Sequence, residues 1–280
     1  MDTILDIKRW TLLRWEIRNF CQNDQSNALQ SLDKVKPGTL LIRDLGYFTL
    51  QTIAELNQRA IHYLYRLKNG INIYCPDTQK KITLSKVLVK KRRRSMLVLL
   101  GEAKIPVRLV AIPLDPQTTE YRRRKALKNR DKRLNPNKEN IKRLGWAIFI
   151  TSVPEEVWTD KQVEQAYKVR WNIELLFKAW KSNTPIVEAM RDSSTESRTR
   201  MLLIGMLLYT FLVLIPLIHR CWQAFAYDSI NSISWTKIFI LAKWIGPEAL
   251  NTAMLHMIIY YAQYEKRKRK NLVEALLGGP

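Results

Sequence analysis

Two carboxylates in this sequence stand among residues whose types and spacing suit phosphate chemistry. Glu174 lies in segment 159–182, TDKQVEQAYKVRWNIELLFKAWKS. Thr159 and Gln162 have capping-box spacing at its start and Pro185 stands beyond its end, which predicts a helix. At about 100° per residue, Val169, Ile173, Leu176 and Trp180 share an apolar face. Tyr167, Arg170, Glu174 and Lys181 fall on a second stripe roughly 60° wide, so one acid is surrounded by two cations and a phenol. The bland alternative is an exposed Glu174–Arg170 pair at i, i+4 spacing, worth ~0.3 kcal/mol. Asp44 follows the apolar run 39–42, at the carboxyl end of a predicted buried strand, where open α/β sheets place their sites. Its bland alternative is a carboxylate that caps the following turn. Carboxylates suit hard divalent cations, which prefer oxygen ligands, while Arg, Lys and Tyr suit phosphate oxygens.

The rest of the composition narrows the choice. Cys21, Cys75 and Cys221, like His62, His219 and His256, are scattered without metal-ligand spacing, so any metal here would be held by carboxylates. Lys and Arg number 47 against 25 Asp and Glu, a net charge of +22. Such an excess suits a polyanionic partner, because each neutralised phosphate releases condensed counterions. With 46% apolar residues and 280 positions, the chain can bury a real core. The first seven residues carry two acids and lack the apolar core of a signal peptide. Residues 201–218 are uncharged and reach the lower edge of a spanning length; a buried helix ending near Pro216 is the expectation, without membrane association.

These residues need elements to position them. Residues 8–21 fit one or two strands entering a sheet, and 22–36 a short helix. Pro37-Gly38 marks a turn before strand 39–42, followed by a helix over 49–59 and an alternating strand over 61–67. Strand-like runs at 81–89 and 95–112 flank a basic cluster that includes Arg92 and Arg93. A second basic stretch, 121–142, includes Arg122 and Arg123, and 146–153 is again a strand. The organisation expected is an α/β core in 1–67, a basic and largely β insertion in 68–153, the remaining core with the Glu174 helix and the following buried helix in 154–220, and a helical basic region in 221–280.

The spacing Tyr167-x2-Arg170-x3-Glu174-x6-Lys181 resembles the signature of the IS-four family of bacterial DDE transposases. Gly38-x5-Asp44-x-Gly46-Tyr47-Phe48 is similar to that family's second-aspartate motif, and the two motifs occur in the family's order with a basic insertion between them. The resemblance covers about residues 16–215. It implies a ribonuclease H-like fold, with a mixed five-stranded sheet and helices on both faces. It further implies a centre in which three carboxylates hold two Mg²⁺ or Mn²⁺ ions for DNA cleavage and strand transfer. Asp44 and Glu174 would be metal ligands, expected within roughly 8 Å of each other given two ions about 4 Å apart. Tyr167, Arg170 and Lys181 would contact the DNA backbone beside the scissile bond, and Arg92, Arg93, Arg122 and Arg123 would add basic contacts. Element ends and target DNA are the implied partners, a homo-oligomer on DNA is compatible, and the nucleoid of the bacterial cytoplasm is the implied place.

The family's first aspartate is the departure. It precedes two more strands and a helix, yet only 42 residues separate Asp2 from Asp44, fewer than typical elements and loops require. Asp2-Thr3 and Asp6 are therefore poor substitutes. The chain taken alone is expected to be an inactive or incomplete fragment. Other readings are a related nuclease and a non-catalytic, basic DNA-binding remnant.

Overall fold

A computed structural model describes residues 2–6, 11–16, 24–88, 92–128, 137–183 and 195–216. Two compact units divide the chain: Met1–Ile4 with Leu12–Arg170, and Leu5–Thr11 with Trp171–Pro280.

Asp2–Asp6 (β1) and Thr11–Glu16 (β2) pair only with each other among the described residues. The strands read near 8–21 therefore do not enter the main sheet. A short helix, Asp24–Asn27 (α1), leads into a 3₁₀ turn at Gln30–Lys34 that buries Ser31 and Leu32. Gly38 then adopts φ +76°, a left-handed conformation open to glycine at no steric cost. Its N–H donates to the Ala60 carbonyl at 2.8 Å, which fixes the start of Leu40–Ile42 (β3) beside His62–Arg66 (β4). Between them lies Leu50–Gln58 (α2), whose Thr49 cap accepts from the Thr52 N–H at 3.0 Å.

Segment 68–153 supplies further strands. Ile73–Tyr74 (β5), Arg94–Leu100 (β6), Ile105–Pro113 (β7) and Trp146–Thr151 (β8) extend the same sheet, in the order β3-β4-β8-β7-β6-β5. Only β3 and β4 are parallel; the remaining neighbours are antiparallel. The sheet is thus mixed and six-stranded rather than five-stranded. The strand expected at 81–89 reduces to a single bridge, Tyr74 to Lys81, followed by a helical turn, Leu84–Val87 (α3). The basic stretch supplies two helices, Pro116–Leu127 (α4) and Lys138–Arg143 (α5).

Alternation along the strands gives the sheet two buried faces. Tyr63 and Tyr65 of β4, Leu109 and Ala111 of β7, and Ile148 and Ile150 of β8 pack with Ile53 and Leu56 of α2. On the opposite face, Leu64, Val110, Ile112 and Phe149 pack with Val163 and Tyr167 of Asp160–Lys168 (α6). Helices therefore cover both faces. Arg108 fixes the start of α6. Its Nη2 lies 2.8 Å from Asp160 Oδ1, its Nη1 donates to the Trp158 carbonyl at 2.7 Å, and its Nε donates to Ser95 Oγ at 2.8 Å. With 9% and 17% of the two side chains exposed, this ion pair is desolvated on both sides. Arg108→Met strands Asp160 without its cation and is expected to cost about 3–5 kcal/mol of stability. Chemical denaturation checks this; a loss below ~1 kcal/mol would show the pair to be dispensable.

The second unit contains Trp171–Asn183 (α7) and Glu196–Tyr209 (α8), the latter extended by a π-helical turn at Thr210–Leu214. The helix expected to be buried at 201–218 is buried on one face only. Met206, Leu207, Thr210 and Leu214 are covered, whereas Met201, Leu208 and Leu212 are more than half exposed. The helix is long and apolar enough to cross a membrane by length and composition, and 17% of its most apolar stretch is buried. Residues 217–218, and all of 221–280 with its expected helical basic region, lie outside the described residues.

Candidate functional site

The carboxyl end of β3 is anchored from beneath by a buried arginine. Arg43 is 6% exposed; its Nη1 donates to the Ala28 carbonyl at 2.9 Å and its Nη2 to Ser31 Oγ, and its guanidinium lies 5.0 Å from the centre of the Tyr47 ring. The next residue, Asp44, precedes a 3₁₀ turn at Leu45–Tyr47. The turn closes through the Asp44 carbonyl, which accepts from the Tyr47 N–H at 3.1 Å, while the side chain makes no capping bond. The carboxylate is thus left for other work. Gly46 keeps a negative φ inside this turn, and Phe48 is 1% exposed in the core.

Arg170 reaches that carboxylate. Its Nη1 lies 3.4 Å from Asp44 Oδ1, with the arginine side chain 10% and the aspartate 56% exposed. An ion pair open to water on one side is worth at most ~1 kcal/mol, so it orients the groups more than it stabilises the fold. The guanidinium also lies 5.4 Å from the centre of the Tyr167 ring. The Tyr167 ring packs at a tilt against Phe149, with ring centres 5.0 Å apart, and its buried hydroxyl makes no hydrogen bond of normal geometry among the described residues. Burial pushes the Tyr167 phenol up from its ordinary value, Arg170 and Arg66 pull it down, and Asp44 pushes it up. The net direction keeps the proton on, so this hydroxyl is a donor.

The segment 159–182 is not continuous: the N–H groups of Val169 and Arg170 turn back to the Ala166 and Tyr167 carbonyls at 3.1 and 3.2 Å. These tighter bonds end α6 before α7 begins at Trp171. Tyr167 consequently joins Val163 on the buried face, at i, i+4 spacing, instead of sharing a solvent stripe. Glu174 is half-buried in the first turn of α7 and Lys181 is exposed in its last turn. Both belong to the second unit, whereas Asp44, Tyr167 and Arg170 belong to the first.

The other basic candidates differ in their surroundings. Arg92 is exposed, while Arg93 is engaged by Glu164 of α6 at 3.3 Å. Arg122 and Arg123 are half-buried on the inner side of α4. Residues 129–136 and the run 266–270 lie outside the described residues. Arg66 escaped the sequence reading, although strand alternation places it on the face of Leu64, next to the Phe149–Tyr167 pair. Asp44 has the right donor chemistry for a hard divalent ion. No three His, Cys, Asp or Glu side chains gather among the described residues.

Comparison with known proteins brings both motifs under one description. The family described as a transposase DDE domain matches residues 22–211. The transposase for insertion sequence element IS231B of Bacillus thuringiensis subsp. berliner is 27% identical over 198 residues, 63% of this chain and 41% of that protein. The IS231C transposase of the same subspecies is 28% identical over 198 residues, again 63% and 41% of the two chains. The IS231F transposase of Bacillus thuringiensis subsp. israelensis is 28% identical over 181 residues, 57% of this chain and 38% of its own length. The chain therefore spans about two-fifths of the curated relatives it matches.

Proposed function

Because this chain belongs to the transposase DDE domain family, we propose that it is the part of an insertion-sequence transposase of IS-four type that holds DNA at the centre of cleavage and strand transfer. The family uses divalent metal for phosphoryl transfer on DNA. In this chain Asp44 and Glu174 would hold Mg²⁺ or Mn²⁺, which would polarise phosphate and activate the attacking oxygen. They are two of the three carboxylates such a two-metal centre takes, and the chain alone is assigned DNA holding without cleavage. It would act in a ribonuclease H-like frame, in the bacterial cytoplasm at the nucleoid.

The observation that carries this reading is the convergence of two distant motifs. Asp44, at the end of β3, and Arg170, just after α6, meet at 3.4 Å, with the Tyr167 ring 5.4 Å from the guanidinium. Arg170 offers a fixed fork of donors and Tyr167 one further donor, a set suited to phosphate oxygens. Asp44 repels the same phosphate until a cation intervenes. Without divalent metal, Asp44→Asn is accordingly expected to tighten binding of a short DNA duplex several-fold, while Arg170→Gln weakens it and lowers its salt slope by about 1. Fluorescence anisotropy of the two variants reads both effects. Equal affinities for the parent and both variants would remove the DNA-holding assignment from this cluster.

A further inference from the structure

Helix α4 has no apolar face. None of its residues is buried, and those turned toward the sheet include Thr119, Arg122, Arg123 and Ala126. Its single acid, Glu120, pairs with Arg124 at 2.9 Å on the exposed side. A helix docked only for packing would turn apolar residues inward and leave its arginines in water. This one directs two guanidinium groups inward, with no ion-pair partner for either among the described residues.

One of them has a counterpart on the sheet. Arg122 Nη1 donates to the carbonyl of Trp146, the first residue of β8, at 3.4 Å. Arg66, the last residue of β4, stands opposite Phe149 in the β4–β8 ladder, and the ladder continues as the Leu67 N–H donates to the Ile148 carbonyl at 2.9 Å. Arg66 shares its strand face with Leu64, on the side where Phe149 packs against Tyr167. Both arginines thus come to the same end of the same pair of strands. Neither has a carboxylate within ion-pair distance among the described residues. Burial, and then the nearby charge of Arg66, lower the Arg122 guanidinium below its ordinary value, as expected of two like charges held close. The field of Arg66 also reaches Tyr167.

Two cations held together without an acid raise the free energy of the empty protein, and an anion between them relieves it. We propose that Arg66 and Arg122 form a two-pronged clamp for one backbone phosphate of bound DNA, at the shared end of β4 and β8. The inference rests on the DNA-holding reading above and adds to it the path of the strand, from the Asp44–Arg170 pair across Tyr167 to the end of β4 and β8. Both prongs present parallel N–H donors, the geometry that Arg uses for phosphate.

The test uses the 280-residue chain, a fluorescent DNA duplex, and the variants Arg66→Gln, Arg122→Gln and their combination. Each single variant is expected to weaken binding about tenfold and to lower the slope of log affinity against log salt by about 1. Because one phosphate is shared, the double variant should also lose about 1, not about 2. Arg66→Gln should leave the melting temperature of the DNA-free protein unchanged or higher, since it removes a like-charge neighbour. Additive loss near 2 would mean two independent contacts and overturn the clamp. So would unchanged slopes in the single variants, or a melting temperature that falls by several degrees in Arg66→Gln. A parent chain with no salt-dependent DNA binding would instead overturn the DNA-holding reading itself.

Discussion

Raising salt from 50 to 200 mM is expected to weaken DNA binding by this chain by about 10³–10⁵-fold, the loss that accompanies six to ten neutralised phosphates. The excess of 47 cations over 25 acids is the source of that slope. Many of the acids in the described residues are already engaged. Glu55 and Asp33 hold Arg59, Glu120 holds Arg124, Glu164 lies by both Arg93 and Lys168, and Asp160 is locked under Arg108. Among the described residues, Arg66 and the exposed Arg92 have no such partners, and Arg122 bonds to a backbone carbonyl. Cations of this kind contact phosphates, which fix register on the duplex but carry no sequence information. Binding should therefore be tight at low salt and nearly indifferent to sequence. Anisotropy titrations over that salt range measure the slope directly. An affinity that stays flat would remove the electrostatic account, and with it the role given to the basic segments.

What could be read beforehand is what local sequence controls. The turn at Pro37-Gly38, the short strand behind Asp44, and the helix capped by Thr49 each depend on residues within a few positions, and the structure has all three. The two basic helices also left local marks that a search for apolar periodicity passes over. Asp115 before Pro116, and Asn137, are N-caps whose side chains accept from Thr118 and Asn140 N–H groups at 2.7 and 2.8 Å. Helix α4 lacks an apolar face, so periodicity could not find it. Long-range partners were beyond reach for a different reason. Arg108 reads as one more cation in an apolar run until the fold brings Asp160, 52 positions later, to 2.8 Å. Arg43 finds its acceptors at positions 28 and 31, outside any motif. The break after Lys168 has neither Gly nor Pro to announce it. Burial of Tyr167 with Val163 against Phe149, and the pull of Asp44 on Arg170, set the end of α6.

The largest effect is expected on cleavage. The 280 residues contain the Asp44 and Glu174 motifs but no convincing match for the family's first aspartate, since Asp2 and Asp6 occupy the two ends of β1 in a separate two-stranded sheet. The purified chain is therefore expected to bind DNA without nicking it in Mg²⁺ or Mn²⁺. Supplying a polypeptide that carries the family's first-aspartate strand, fused or separate, should allow metal-dependent cleavage. Glu174→Gln or Asp44→Asn should then lower the cleavage rate by about 10³-fold or more, equivalent to ~4 kcal/mol of transition-state stabilisation. Each substitution keeps the size and polarity of the side chain and removes the charge that a hard cation needs. Asp44→Asn should at the same time retain or tighten DNA binding, because it deletes a negative charge that faces Arg170. That split between binding and cleavage distinguishes a ligand of the reaction centre from a residue that merely supports the fold. Robust nicking by the unsupplemented chain would show that Asp2, Asp6 or another acid already completes the centre. Cleavage that survives Glu174→Gln would take Glu174 out of the reaction, leaving α7 as a structural helix.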